Sequence, residues 1–140
     1  MKQGEKHGSR NKTGAIGEDI AARHLKKLGL KIVDRNYLKK WGEIDIVSRE
    51  TSENKDKIHF VEVKTVSYET MDMLKKAVSY GTWRPEENVH PEKVKRLHRT
   101  IESWLMEHNC QAEWQIDVIS VRIVPRERFS TIKIIENVIL

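Results

Sequence analysis

From Thr13 onward the apolar positions fall at helical spacing. Ile20, Ala21, Ala22, Leu25 and Leu28 share one broad arc of a helical wheel, with Arg23, Lys26 and Lys27 outside it. Thr13 suits an N-cap and Gly29 a helix stop. Glu18 breaks the pattern, because the same wheel sets it inside the apolar arc between Leu25 and Ala22. The period then changes to two. Leu30–Arg35 is short and β-branched and predicts a strand that leads through Asn36-Tyr37 to a turn around Gly42. Glu43–Ser48 and Ile58–Thr65 both alternate, and the polar stretch Glu50–Lys57 between them predicts a hairpin. From Val66 to Asn88 the apolar residues Tyr68, Met71, Met73, Leu74 and Trp83 follow no period, so a lid, a binding loop or a short helix is expected there. Pro91 opens a second amphipathic helix, carried by Val94, Leu97, Ile101, Trp104 and Leu105 as far as Asn109. Gln115–Val124 and Thr131–Val138 close the chain as strands. The order α-β-β-β-α-β-β predicts the α/β class, with a central mixed sheet of about five strands flanked by helices.

Length and charge narrow this further. The 140 residues, 38% hydrophobic and 34% charged, suit one domain over residues 13–140, preceded by a flexible basic tail over residues 1–12. Lys and Arg outnumber Asp and Glu by 26 to 21, which gives a net charge of +5 and a pI near 9.3. Polyanions are favoured partners. A single cysteine, Cys110, excludes a disulfide framework and any multi-thiolate zinc site, and a reducing, cytoplasmic setting is expected. No apolar run approaches the roughly 18 to 20 residues of a membrane span, so no membrane partner is expected. The absence of Gly-x-Ser-x-Gly, P-loop and Gly-x-Gly-x-x-Gly patterns removes serine hydrolases, NTPases and dinucleotide enzymes of the usual kinds.

The candidate chemistry concentrates in the hairpin. A symmetric loop sets Asp45 opposite Glu62 and Glu43 opposite Lys64, with all four on one face. At about 5 Å and an effective dielectric near 20, two opposed carboxylates repel by on the order of 3 kcal/mol. A divalent cation removes that penalty. The two carboxylates and the backbone carbonyl of Val63 form a hard-oxygen set suited to Mg²⁺ or Mn²⁺. Lys64, two residues beyond Glu62, reaches a metal-bound water or the charge developing on a phosphate under attack. Glu18, facing inward from the first helix, can join the cluster. Glu-x-Lys on a strand is commonly a solvent-facing ion-pair stripe. Its conjunction with an inward Glu18, with Gly42-Glu43-Ile44-Asp45 and with a strand apolar enough to be central favours a catalytic role.

Four basic residues, Lys93, Lys95, Arg96 and Arg99, open the second helix as a candidate nucleic-acid-binding face, with a solvated helix face as the alternative. Tyr37, Trp41 and Trp83 are candidates for base stacking or for core edges. His24, His59, His90, His98 and His108 lack metal-like spacing apart from the weak His108-x-Cys110, so no zinc site is expected. Asp117 is expected to support the acidic cluster from behind.

These residues carry a resemblance. Gly14-x-x-Gly17-Glu18-x-x-Ala21, Asn36-Tyr37, Gly42-Glu43-Ile44-Asp45-Ile46, Phe60-Val61-Glu62-Val63-Lys64-Thr65, Lys93-x-x-Arg96-Leu97 and Asp117-Val118 resemble the YraN-like family of bacterial proteins, over roughly Gly14–Val138. That family is similar in fold to restriction-endonuclease-like PD-(D/E)XK nucleases, most closely archaeal Holliday-junction resolvases. The resemblance implies that Asp45 and Glu62 are metal ligands, Lys64 the catalytic lysine and Glu18 the helix-borne acid. Where the family often shows arginine, this sequence has Leu38, Val66 and Gln115, and Arg35, Lys39, Lys40 and Arg84 are the basic residues that could substitute. The expected protein is a Mg²⁺- or Mn²⁺-dependent endonuclease that hydrolyses phosphodiester bonds in DNA, with branched or junction DNA as the suggested substrate. Junction cleavage requires two symmetric sites and hence a homodimer. The alternative is a non-catalytic nucleic-acid-binding protein that keeps the nuclease fold, because fold does not fix function.

Overall fold

The structure, a computed structural model, describes the backbone of residues 2–80 and 91–138, and their side chains from Lys12 onward except that of Tyr80. Helix α1 spans Lys2–Lys27, strands β1, β2 and β3 span Lys31–Lys39, Gly42–Ser52 and Lys55–Ser67, and helices α2 and α3 span Met71–Tyr80 and Pro91–Glu107. Strands β4 (Glu113–Val124) and β5 (Phe129–Ile135) complete the chain, joined by a 3-10 turn at Pro125–Glu127. The five strands form one mixed sheet in chain order, antiparallel throughout except for the parallel pair β3 and β4. A parallel pair needs a long crossover, which the segment carrying α2 and α3 supplies.

Each face of the sheet has its own core. On one face Ala21, Ala22 and Leu25 of α1 pack on Ile46, Val61, Ile119, Val121 and Ile123. On the other, Ile101 and Trp104 of α3 pack on Ile44, Val47, Ile58, Phe60 and Ile116. Burying each such Leu, Ile or Phe stabilises the fold by about 1.5–3 kcal/mol. Phe60 also meets Trp104 and Trp114 edge-on, with ring centroids 5.5 Å and 5.7 Å apart. The result is an α/β domain, a five-stranded mixed sheet flanked by three helices, with the architecture of a restriction-endonuclease-like fold. Among the described residues no helix is long and apolar enough to cross a membrane.

Two expectations change, and one of the alternatives left open, a short helix after Val66, is met. Helix α1 begins ahead of Thr13, so Thr13 is an interior residue rather than the cap. No proline interrupts the chain before it, and Lys, Gln, Glu and Arg are good helix formers. The aperiodic segment after Val66 contains α2, capped by Thr70, whose Oγ1 accepts a hydrogen bond from the Met73 N–H at 3.1 Å. Strand β5 starts at Phe129, directly after Arg128 has turned the chain with φ 50°. Trp83 and Arg84 lie outside the described residues.

Candidate active site

Strands β2 and β3 pair in the register that the hairpin pattern predicts, with Ile46 facing Val61, Val47 facing Phe60 and Ser48 facing His59. The ladder ends at Ile46 and Val61. One step further, Asp45 and Glu62 are not backbone-paired; Asp45 Oδ2 accepts a hydrogen bond from the Val63 N–H at 2.8 Å. The carboxylate stands in for a strand carbonyl. On the other edge of β2 the pairing skips the same position, since Arg35 faces Ile46 and Tyr37 faces Ile44. Asn36, between them, is left-handed at φ 52°, a conformation that asparagine tolerates better than most residues. The break turns the strand over: Ile46 packs in the α1-side cluster and Ile44 in the α3-side cluster.

Asp45 therefore sits where the ladder is interrupted on both sides. A cavity of about 520 Å³ lies there, lined by Gly14 and Glu18 of α1, Asn36 of β1, Asp45 of β2, Glu62 and Lys64 of β3, and Lys93 and Arg96 of α3. All four acid and lysine candidates from the sequence line this one cavity. The expected pairing of Glu43 with Lys64 is corrected. Beyond Val61, β3 leaves β2 and keeps to β4, so Glu43 pairs with Leu38 of β1 and is solvent-exposed.

Two close approaches bring the helices to the site. A β-carbon on Gly17 would lie 1.8 Å from Thr65 Oγ1, so only glycine lets α1 settle on β3 and carry the adjacent Glu18 to the cavity. A β-carbon on Gly42 would lie 2.6 Å from Thr100 Oγ1, which seats the β1–β2 turn on α3. Glu62 and Lys64 continue the alternation of Ile58 and Phe60 and so face α3. Lys64 Nζ is 3.0 Å from Glu62 Oε1, and Lys93 Nζ is 2.8 Å from the same oxygen.

The site favours positive charge. Burial, followed by the nearby charges of Glu18, Glu62 and Glu43, pushes the Asp45 carboxyl up to about 7 against the lowering effect of the Val63 N–H. Burial also raises Glu18, reinforced by Glu43 and opposed by Arg35 and Asn36. Glu62 behaves oppositely: burial raises it most among single influences, but Lys93 and Lys64 together outweigh burial and hold it below the usual carboxylate range. A carboxyl raised this far, first by burial and then by neighbouring acids, gains from added positive charge.

The four basic residues of α3 separate. Lys93 and Arg96 line the cavity. Arg99 lies over the Trp41 ring with Cζ 4.0 Å from its centroid. Lys95 is exposed and, two residues from Lys93, projects from the other side of the helix. Of the substitutes considered for the missing arginines, Arg35 bonds Asp19 at 2.9 Å and Lys39 bonds Glu107 at 2.5 Å.

A second polar group lies away from this cavity. His59 Nδ1 is 2.6 Å from Asp117 Oδ2, and His59 Nε2 is 3.0 Å from Glu50 Oε1. Asp117 also accepts hydrogen bonds from Gln115 Nε2 at 2.8 Å and from the Asn137 N–H at 2.9 Å. The bond to Asp117, with that to Glu50, raises the His59 pKa against burial. Asp117 moves down, because His59, Asn137 and Gln115 outweigh its burial. With Glu136 this is the one set of three His, Cys, Asp or Glu residues among those described whose ligand atoms all lie within 4.8 Å, and it could hold a metal ion once the imidazole gives up its proton. The expectation that Asp117 backs the acidic cluster is thereby corrected. It pairs with Val61 on the α1 face of the sheet, whereas Glu62 and Lys64 face α3. His59 escaped the sequence because parallel pairing, not spacing, joins it to Asp117; its signal was a polar residue at a buried position of a central strand.

The matches to known proteins cover this machinery. Residues 17–121 match the uncharacterised protein family UPF0102. A UPF0102 protein of Mycolicibacterium smegmatis is 36% identical over 116 residues, covering 82% of this chain and 83% of its own length. Another, from Campylobacter lari, is 32% identical over 126 residues, covering 89% and 91% respectively. The matched span contains Glu18, Asp45, Glu62, Lys64 and Lys93, and the chain belongs to the UPF0102 family, in keeping with its YraN-like motifs.

Proposed function

We propose that this protein is a metal-dependent nuclease that hydrolyses phosphodiester bonds in DNA, with branched DNA its suggested substrate. One observation carries the proposal: the interruption of the sheet at Asp45 gathers Glu18, Asp45, Glu62 and Lys64 into a single polar cavity. The donor set fits a hard divalent cation, because its ligands are carboxylate oxygens and burial, with the neighbouring acids, raises the Asp45 carboxyl to about 7. Asp45, Glu62 and the Val63 carbonyl would hold Mg²⁺ or Mn²⁺, which supplies Lewis acidity and an activated water. Lys64 would orient the attacking water and stabilise charge on the phosphate. Glu18 would complete the negative field from the opposite face, and Arg96, which lines the cavity wall, would bind backbone phosphate. A homodimer follows if the substrate is a symmetric junction.

A second reading is favoured by the two lysines on Glu62, which already neutralise that acid as a structural ion network would. On that reading the protein binds nucleic acid without cutting it. The two separate in one assay, in which the protein is incubated with supercoiled, single-stranded and four-way-junction DNA plus Mn²⁺, with chelator and Lys64→Ala controls. Metal-dependent product that Lys64→Ala abolishes supports the nuclease. Salt-sensitive binding that survives Lys64→Ala, with no product on any substrate, overturns it.

A further inference from the structure

Lys93 stands in the first turn of α3, its side chain 40% exposed, and bonds Glu62 Oε1 at 2.8 Å. Lys64 already occupies that same oxygen at 3.0 Å. Two ammonium groups on one carboxylate oxygen exceed what pairing Glu62 requires. The location is costly as well, because the positive end of a helix disfavours a cation in its first turn. The nearby Asp45 also attracts the Lys93 charge. A lysine placed against its own helix dipole, on an acid that has another lysine, and within the field of a second acid, occupies the position of a bridging cation. Its flexible four-carbon stem lets it leave.

We propose that Lys93 is a built-in counter-ion that competes with a divalent metal for Glu62 and, once displaced, swings to the phosphate of the bound nucleic acid. This rests on the metal-dependent reading of the same cavity. Metal loading and phosphate capture are thereby coupled: the metal frees an ammonium for the phosphate, and a phosphate that holds the ammonium leaves Glu62 to the metal. By linkage each ligand raises the affinity for the other by the same factor.

The test is a Mn²⁺ titration of the whole protein without nucleic acid, followed by calorimetry or by the electron paramagnetic resonance of free Mn²⁺. Four proteins are compared: wild type, Lys93→Met, Lys93→Arg and Lys95→Met. Lys95 removes an equal charge from the far side of the same helix and so controls for net charge. Lys93→Met is expected to bind Mn²⁺ roughly tenfold or more tightly than wild type. Lys95→Met should stay within about twofold, since an exposed charge is screened, and Lys93→Arg should match wild type. With duplex DNA and non-cleaving Ca²⁺, Lys93→Met should also lose the metal-dependent gain in DNA affinity. A melting curve confirms that each variant is folded, and Lys93→Gln replaces Lys93→Met if it is not. Equal Mn²⁺ affinity of Lys93→Met and Lys95→Met overturns the proposal and leaves the metal site standing. Absence of Mn²⁺ binding by all four proteins overturns the metal reading and the counter-ion together.

Discussion

Gly17 and Thr65 hold α1 against β3: a β-carbon on Gly17 would fall 1.8 Å from Thr65 Oγ1 and 2.8 Å from Thr65 Cβ. Contact that close fixes the height of α1 above the sheet, and with it the reach of Glu18. Gly17→Ala is expected to cost about 1–3 kcal/mol by overpacking, read as a lower melting temperature. Thr65→Ala removes the hydroxyl but not the Cβ, so the double variant should recover only part of the loss in a double-mutant cycle. A Gly17→Ala protein with unchanged stability would mean that α1 does not sit this close.

Asp45 carries a stability cost that should be visible in pH. Its folded pKa of about 7 lies above the ordinary 3.8. A raised pKa means that the folded state binds the proton more tightly, so the associated stability is complete below the ordinary value and is lost as pH rises through 7. The loss is on the order of 4 kcal/mol without metal. Asp45→Asn keeps an oxygen for the Val63 N–H and has no charge to bury. It should melt higher than wild type at pH 8, match it at pH 4 and lose any Mn²⁺-induced rise in melting temperature. A variant less stable than wild type at pH 8 would show that the site does not strain this carboxylate.

The buried network of Glu50, His59 and Asp117 should respond with its own pH signature. His59 has a raised pKa, so the stability it provides is complete below the ordinary 6.5 and is lost as pH climbs through the folded value. His59→Leu leaves Asp117 without its cation and should cost about 3 kcal/mol in urea denaturation at pH 6. The gap between variant and wild type should narrow toward pH 9. A gap independent of pH would show that the imidazole is neutral throughout.

Much of the site was legible because it follows simple periods. Asp45, Glu62 and Lys64 came from strand alternation and a correct hairpin register, and Glu18 from a carboxylate on an apolar helical arc. The break that makes the cavity was not legible, since the end of the β2–β3 ladder and the left-handed Asn36 opposite it alter no hydrophobic pattern. Helix α2 was hidden because Leu74 alone among its described side chains is buried, too little to mark a face. A run of like charges cannot reveal which member turns inward: Lys93 meets Glu62, whereas Lys95, two residues on, is in solvent. The His59–Asp117 pair needed the parallel β3–β4 register, which no local pattern encodes.

The central claim is that Glu62 and its neighbours form a hydrolytic centre, and the rate of DNA cleavage by Glu62→Gln against wild type tests it most directly. Both proteins would be followed over time on junction, single-stranded and supercoiled DNA with Mn²⁺, and with Mg²⁺. Wild type is predicted to yield product on at least one substrate, and Glu62→Gln to be slower by roughly a thousandfold, as loss of a proposed metal ligand requires. Equal rates from the two proteins, or no product from wild type with either ion, would contradict it.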